Sequence, residues 1–142
     1  MAGRIVNAGV ISANGNAGGG SSGGGSGGSI WIACLRLKGL PGSSLTANGG
    51  ANNSGAGAGG GGRILVCEGL AAAQIETLWS DAAVPRKVTA TEITNDNVSD
   101  FYAGTLTAAG GVSSGSQTVY SGTAGTIRWL VAPAEGTFIF LR

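Results

Sequence analysis

Two glycine tracts end without transition in apolar strands, and this recurrence limits the fold more than any other feature of the chain. The stretch "GNAGGGSSGGGSGGSIWIAC" (15–34) opens like a flexible linker and closes like a buried β-strand. The tract "GGANNSGAGAGGGG" (49–62) ends just as abruptly in "RILVC" (63–67). A Gly/Ser linker joins domains, but 142 residues make a single domain. A linker-like tract repeated inside one domain belongs to its structure or its function. Glycine supplies 29 of the 142 residues, and only 11% of residues are charged. Three prolines and no Gly-X-Y period exclude collagen. Low charge with many Ile, Val, Leu and Thr argues for a folded, mostly β chain, because disordered chains are charged and poor in β-branched residues.

The tracts belong to a longer repeat. "VISANGNAGG" (10–19), "SLTANGGANN" (44–53) and "TLTAAGGVSS" (105–114) run parallel. Each leads to a Gly-to-strand junction: "GGSIWIA" (27–33), "GGRILVC" (61–67) and "AGTIRWLV" (124–131), with a reduced copy in "EGTFIFL" (135–141). The unit is a short β segment, a turn, a glycine-rich excursion and an apolar strand. Repeat-like units cover 1–37, 38–70 and 99–133, with a partial unit at 134–142 and a divergent insert at 71–98, all within a single domain, 1–142. Segment 68–80 admits a short helix, although its "IETLW" reads equally well as a strand. Repeats of this length predict an all-β chain forming a short parallel β-solenoid (β-helix) of about four coils, each burying its inner face against its neighbours. The core candidates are Ile30, Trp31, Ile32, Ile64, Leu65, Val66, Ile127, Trp129, Phe138 and Phe140. Asn14 and Asn48 sit at equivalent turns, where stacking at ~4.8 Å favours an amide ladder; Asn-Gly is also ordinary turn chemistry.

The segments "ISANGNAGGGSSGGGSGGSIWI", "LTANGGANNSGAGAGGGGRILV" and "FYAGTLTAAGG…SGTAGTIRWL" resemble the repeats of large glycine-rich surface proteins of microbes. The resemblance covers most of the chain outside about 70–98. It implies a parallel β-solenoid and an extracellular structural or adhesive role, and no catalytic residue.

Two readings of the tracts stand level: flexible loops on a rim, or ordered backbone packed closely because glycine has no Cβ. Phosphate binding is disfavoured, since no Gly-Lys-Ser/Thr ending is present and the tract enters a strand rather than a helix. The strands themselves are apolar on both faces. In "SIWIACLRL", Ile30, Ile32 and Cys34 alternate with Trp31, Ala33 and Leu35, so something covers each side. Open sheet edges at both ends template further pairing, and heterologous pairing builds filaments. The charges fit such polarity: no acid precedes Glu68, whereas Arg4, Arg36, Lys38 and Arg63 do.

Chemistry is sparse. Histidine is absent, which removes the usual general base and the commonest metal ligand. Glu92, Asp96 and Asp100 fall at four-residue intervals in a polar region rich in Asn and Thr, which admits a weak calcium site, yet a solvated loop is the better reading. No cofactor is expected. A net charge of +1 gives no reason to expect nucleic acid. No apolar run spans a membrane, and "MAGRIVNAGVIS" lacks a signal-peptide core. Aligning Cys34 and Cys67 by their flanking Gly-Gly and Ala-Asn-Gly motifs gives an offset of 34 and predicts free, buried thiols. Aligning the cysteines themselves gives 33 and a disulfide. The expected function is a non-enzymatic, self-assembling subunit of an extracellular filament, sheath or surface layer, with the chain itself as partner. The alternatives are an adhesin or fibre domain of a cell or virion surface that takes a surface ligand, and an ice-binding solenoid, for which the threonines are too irregular.

Overall fold

Short runs of alternating apolar residues bounded by glycine become nine strands among the described residues of the computed structural model, which are 3–52, 56–72, 75, 91–93, 101–114 and 120–131. These are β1 (Arg4–Asn7), β2 (Val10–Ser12), β3 (Ser29–Ala33), β4 (Arg36–Gly39), β5 (Ser44–Thr46), β6 (Arg63–Glu68), β7 (Thr91–Ile93), β8 (Thr105–Thr107) and β9 (Thr126–Val131). The chain is essentially all-β, with three sheets ordered β1-β4, β2-β5-β8 and β3-β6-β9-β7. Every pairing is parallel except the last, in which β7 runs antiparallel to β9. That strand comes from the divergent insert and covers an edge that sequence reading leaves open. The expected fourth unit lies outside the described residues. So does most of 68–80, where one helical bond is described, from the Ile75 N–H to the Ala71 carbonyl at 3.1 Å.

The repeats stack because their registers agree. Val10 pairs with Ser44, and Ser44 with Thr105; Ser29 pairs with Arg63, and Arg63 with Thr126. One irregularity is absorbed locally. The second pass needs two more residues between Gly39 and Ser44 than the first needs between Asn7 and Val10. Leu40-Pro41-Gly42-Ser43 takes them up in a tight turn, with the Ser43 N–H on the Leu40 carbonyl at 3.0 Å and Gly42 at φ +84°. Proline followed by a glycine in the left-handed region is the chemistry of a type II turn.

Alternation then sorts side chains by face. Ile30, Ile64 and the half-buried Ile127 form one inward row, and Ile32, Val66 and Trp129 form another. Leu37 and Leu45 complete the core from the other two sheets, and Tyr102 meets Trp129 edge-to-face with ring centroids 5.5 Å apart. Several polar groups inside are paired, while the buried hydroxyls of Ser43 and Thr46 have no partner among the described residues. Glu68 accepts the Trp129 indole N–H at 3.2 Å and the Leu37 backbone N–H at 3.3 Å. Asn7 donates to the Tyr102 hydroxyl and the Ser44 carbonyl, each at 3.3 Å.

The register also separates the cysteines. Cys67 lies opposite Ala33, so Cys34 points inward while Cys67 points outward, and both are free. Burial, with help from the nearby Glu68 and Cys67, pushes the Cys34 thiol up to about 11. Burial also raises Cys67, against the lowering effect of a hydrogen bond from the Trp31 side chain. A thiol with a raised pKa keeps its proton in the folded state after the unfolded chain has begun to lose it. This contribution is therefore complete at neutral pH, and stability falls as pH rises from the ordinary thiol range towards 11. Native protein at pH 8 should leave Cys34 unlabelled by a thiol-disulfide reagent, while denatured protein labels at both cysteines. Leu45→Ala, in a fully buried position, should cost about 2–5 kcal/mol in denaturant unfolding.

Candidate functional site

Over their described residues the glycine tracts are ordered, and backbone hydrogen bonds alone hold most of these positions. Each tract leaves a turn, runs out and returns to a strand, and three such passes lie on one another. The turns are joined first. The side-chain oxygen Oδ1 of Asn14 accepts the Asn48 N–H at 2.7 Å, and Oδ1 of Asn48 accepts the Ala109 N–H at 2.8 Å. Asn14 and Asn48 thus make a ladder, built from side chain to backbone rather than amide to amide. It ends at Ala109, which has no side-chain oxygen to continue it.

Beyond the turn the bonds zigzag between the outgoing and returning legs while climbing the stack. Gly25 N–H donates to the Asn16 carbonyl, Gly50 to Gly25, Gly59 to Gly50, Gly111 to Gly59 and Gly122 to Gly111, at 2.8–2.9 Å. Gly28, Gly62 and Gly125 make the rung nearest the strands, donating to Ala13, Ala47 and Ala108, each at 2.7 Å. Towards the tip, buried Asn52 sits between Gly18 and Ser113 and donates to the Ser22 carbonyl at 2.6 Å.

Only glycine permits this spacing. A Cβ added at Gly59 would land on the Gly25 carbonyl, one at Gly50 on the Asn16 carbonyl, and one at Gly122 on the Gly59 carbonyl. On the returning legs the critical positions are Gly24 and Gly27 in the first pass, Gly59, Gly61 and Gly62 in the second, and Gly122 and Gly125 in the third. Collagen meets the same requirement at its crowded axis. A glycine forfeits about 0.5–1 kcal/mol of chain entropy relative to alanine, and a buried hydrogen bond returns about as much. The tract therefore orders only because the strands at both its ends are already held.

The pattern also marks its own limits. Asn16 occupies the position of Gly50 and Gly111, whose missing Cβ atoms face the pass beneath. Ala124 occupies that of Gly27 and Gly61, whose missing Cβ atoms face the pass above. Close approach on those two outer faces is blocked by real side chains. Gly25 and Gly28 remain glycine on the lower face.

The remaining candidates divide by face. Ile30, Ile32, Ile64, Val66 and Trp129 point into the core with Ile127 beside them, whereas Trp31 and Leu65 pair on the outer face. Trp31 stays 47% exposed. Phe138 and Phe140 lie outside the described residues, as do Asp96 and Asp100. Sequence reasoning missed Glu68, Asn7, Asn52 and Tyr102. Glu68 carried a signal, being the first acid of the chain and set at the end of an apolar strand. Among the described residues, no group of three His, Cys, Asp or Glu side chains is placed to hold a metal, and no helix is long and apolar enough to cross a membrane. No family model matches the chain, and comparisons with curated proteins and with solved structures give no match.

Gly59→Ala and Gly50→Ala should each lower stability by several kcal/mol or prevent folding. Gly19→Ala, where added bulk meets nothing, should change it by less than about 1 kcal/mol. Thermal melts of the three variants decide this. Hydrogen exchange at the Gly50, Gly59 and Gly111 amides should be slow in the native protein.

Proposed function

We propose that the three parallel sheets are the faces of a short β-solenoid, and that the protein is a non-enzymatic structural subunit. It assembles with copies of itself into an extracellular filament, sheath or surface layer of a cell or virion. One observation carries the reading: β1, β2 and β3 all come from the first repeat, and each is the edge strand of its sheet. Among the described residues, that end presents strand edges with no partner strand, together with Val6 and Val10, which are 59% and 68% exposed. Uncovered parallel edges with apolar side chains template the addition of further strands. The composition supports the same reading, because most of the described glycine goes into stacking.

Asn16 and Ala124 set a condition on how copies meet. A second copy cannot lay its tract on this one in the register that joins the internal passes, since side chains fill the approach. Assembly therefore runs through the strand edges. At the other end β7 covers β9 but leaves β8 as an edge.

Sedimentation and negative-stain microscopy over rising concentration should show ordered oligomers or fibres. Val6→Lys combined with Val10→Lys should abolish them while leaving the circular dichroism spectrum unchanged, because edge lysines oppose pairing. Monodisperse monomers of the unaltered chain at high concentration would remove the proposal.

A further inference from the structure

Where the tracts enter the strands of the β3-β6-β9-β7 sheet, the outer surface carries a groove of about 450 Å³. Its floor is glycine backbone from all three passes, at Gly27, Gly28, Gly61, Gly62 and Gly125. Stacking requires glycine at Gly27, Gly61, Gly62 and Gly125, so the floor is flat and free of side chains. One wall is the row Ser29, Arg63, Thr126, in register on adjacent strands. That places an arginine between a serine and a threonine on strands ~4.8 Å apart. Two residues further along the same face stands Trp31, half exposed and ~7 Å from that row by strand geometry. A hydrogen bond between its side chain and that of Cys67 ties the indole to the sheet.

The geometry points to this groove as a binding site for an acidic saccharide chain, of the uronic-acid class. Each part of the site answers a part of such a ligand. Arg63 makes no ion pair among the described residues, and a guanidinium fork matches a carboxylate in two parallel bonds. Ser29 and Thr126 can donate to or accept from sugar hydroxyls on either side of that carboxylate. An aromatic ring with one wet face offers an apolar platform to the C–H face of a pyranose. The glycine floor lets a flat ring lie against backbone. An acidic peptide would engage Arg63 but would bring neither ring hydroxyls nor a stacking face. A polynucleotide binds through many phosphate contacts, and the groove wall holds one cation. The site lies on the outer face of the sheet rather than along its edge, although Ser29 and Trp31 belong to the edge strand β3.

The test is calorimetric titration of the full chain with hexagalacturonate, alongside a neutral dextran oligosaccharide and oligoglutamate of matched length. Hexagalacturonate should bind and dextran should not. Arg63→Gln should weaken binding about tenfold, as loss of a charge-assisted bidentate pair does. Trp31→Ala should weaken it several-fold. Lys38→Gln, on the β1-β4 sheet, should leave binding unaltered. Melting curves confirm that each variant is folded. Absence of binding by the unaltered chain, or equal binding by folded Arg63→Gln and Trp31→Ala, overturns the site. Oligoglutamate binding as tight as hexagalacturonate overturns the saccharide class.

Discussion

Every stacked glycine tract of this protein depends on two backbones approaching closely enough to share hydrogen bonds where a methyl group would already collide. The zigzag through Asn16, Gly25, Gly50, Gly59, Gly111 and Gly122 has no side chain to reinforce it. It exists because β3, β6 and β9 fix one end of each tract and β2, β5 and β8 the other. Strand registers and tract registers must therefore agree, and the Pro41-Gly42 turn shows how an excess of residues is removed without disturbing either. The fold is cooperative for this reason: a tract alone gains about as much from its hydrogen bonds as it loses in glycine entropy.

The same constraint shapes the surface. Positions that must be glycine for stacking cannot carry side chains outward, so the junction of tract and strand becomes a groove. Positions released from the constraint, Asn16 and Ala124, carry side chains that close the stack. One requirement thus yields a rigid body, a limit on how copies add to it and a recess on its flank. The interior polar groups complete the picture. Among the described residues Glu68 receives two N–H groups and no cation, so its role in this structure is to orient Trp129 and β4, and the adjoining Cys34 stays protonated.

Much of this architecture is legible in the residues themselves. Alternation in "SIWIA" and "RILVC" marks the strands, and the motif offset of 34 is the register in which Ile30 meets Ile64. Burial of Ile30, Ile64, Val66 and Trp129 follows from that period. The Asn ladder was visible as a position but not as a bonding pattern, because an amide at a turn has both side-chain and backbone partners within reach. The antiparallel β7 was not legible at all: nothing in a three-residue strand within a divergent insert specifies which edge it joins.

Sequence alone determined that the chain is β, that it repeats, and that its strands have two apolar faces, since these follow from side-chain periodicity and composition. It left the glycine tracts balanced between loop and packed structure. A glycine carries no side chain to declare its surroundings, so only the positions of other backbones decide whether its freedom is used or suppressed. Tertiary structure decided that it is suppressed. It also decided the fate of Trp31, which no neighbour among the described residues fully covers, because coverage depends on which strands lie in which sheet rather than on the pattern of any one of them.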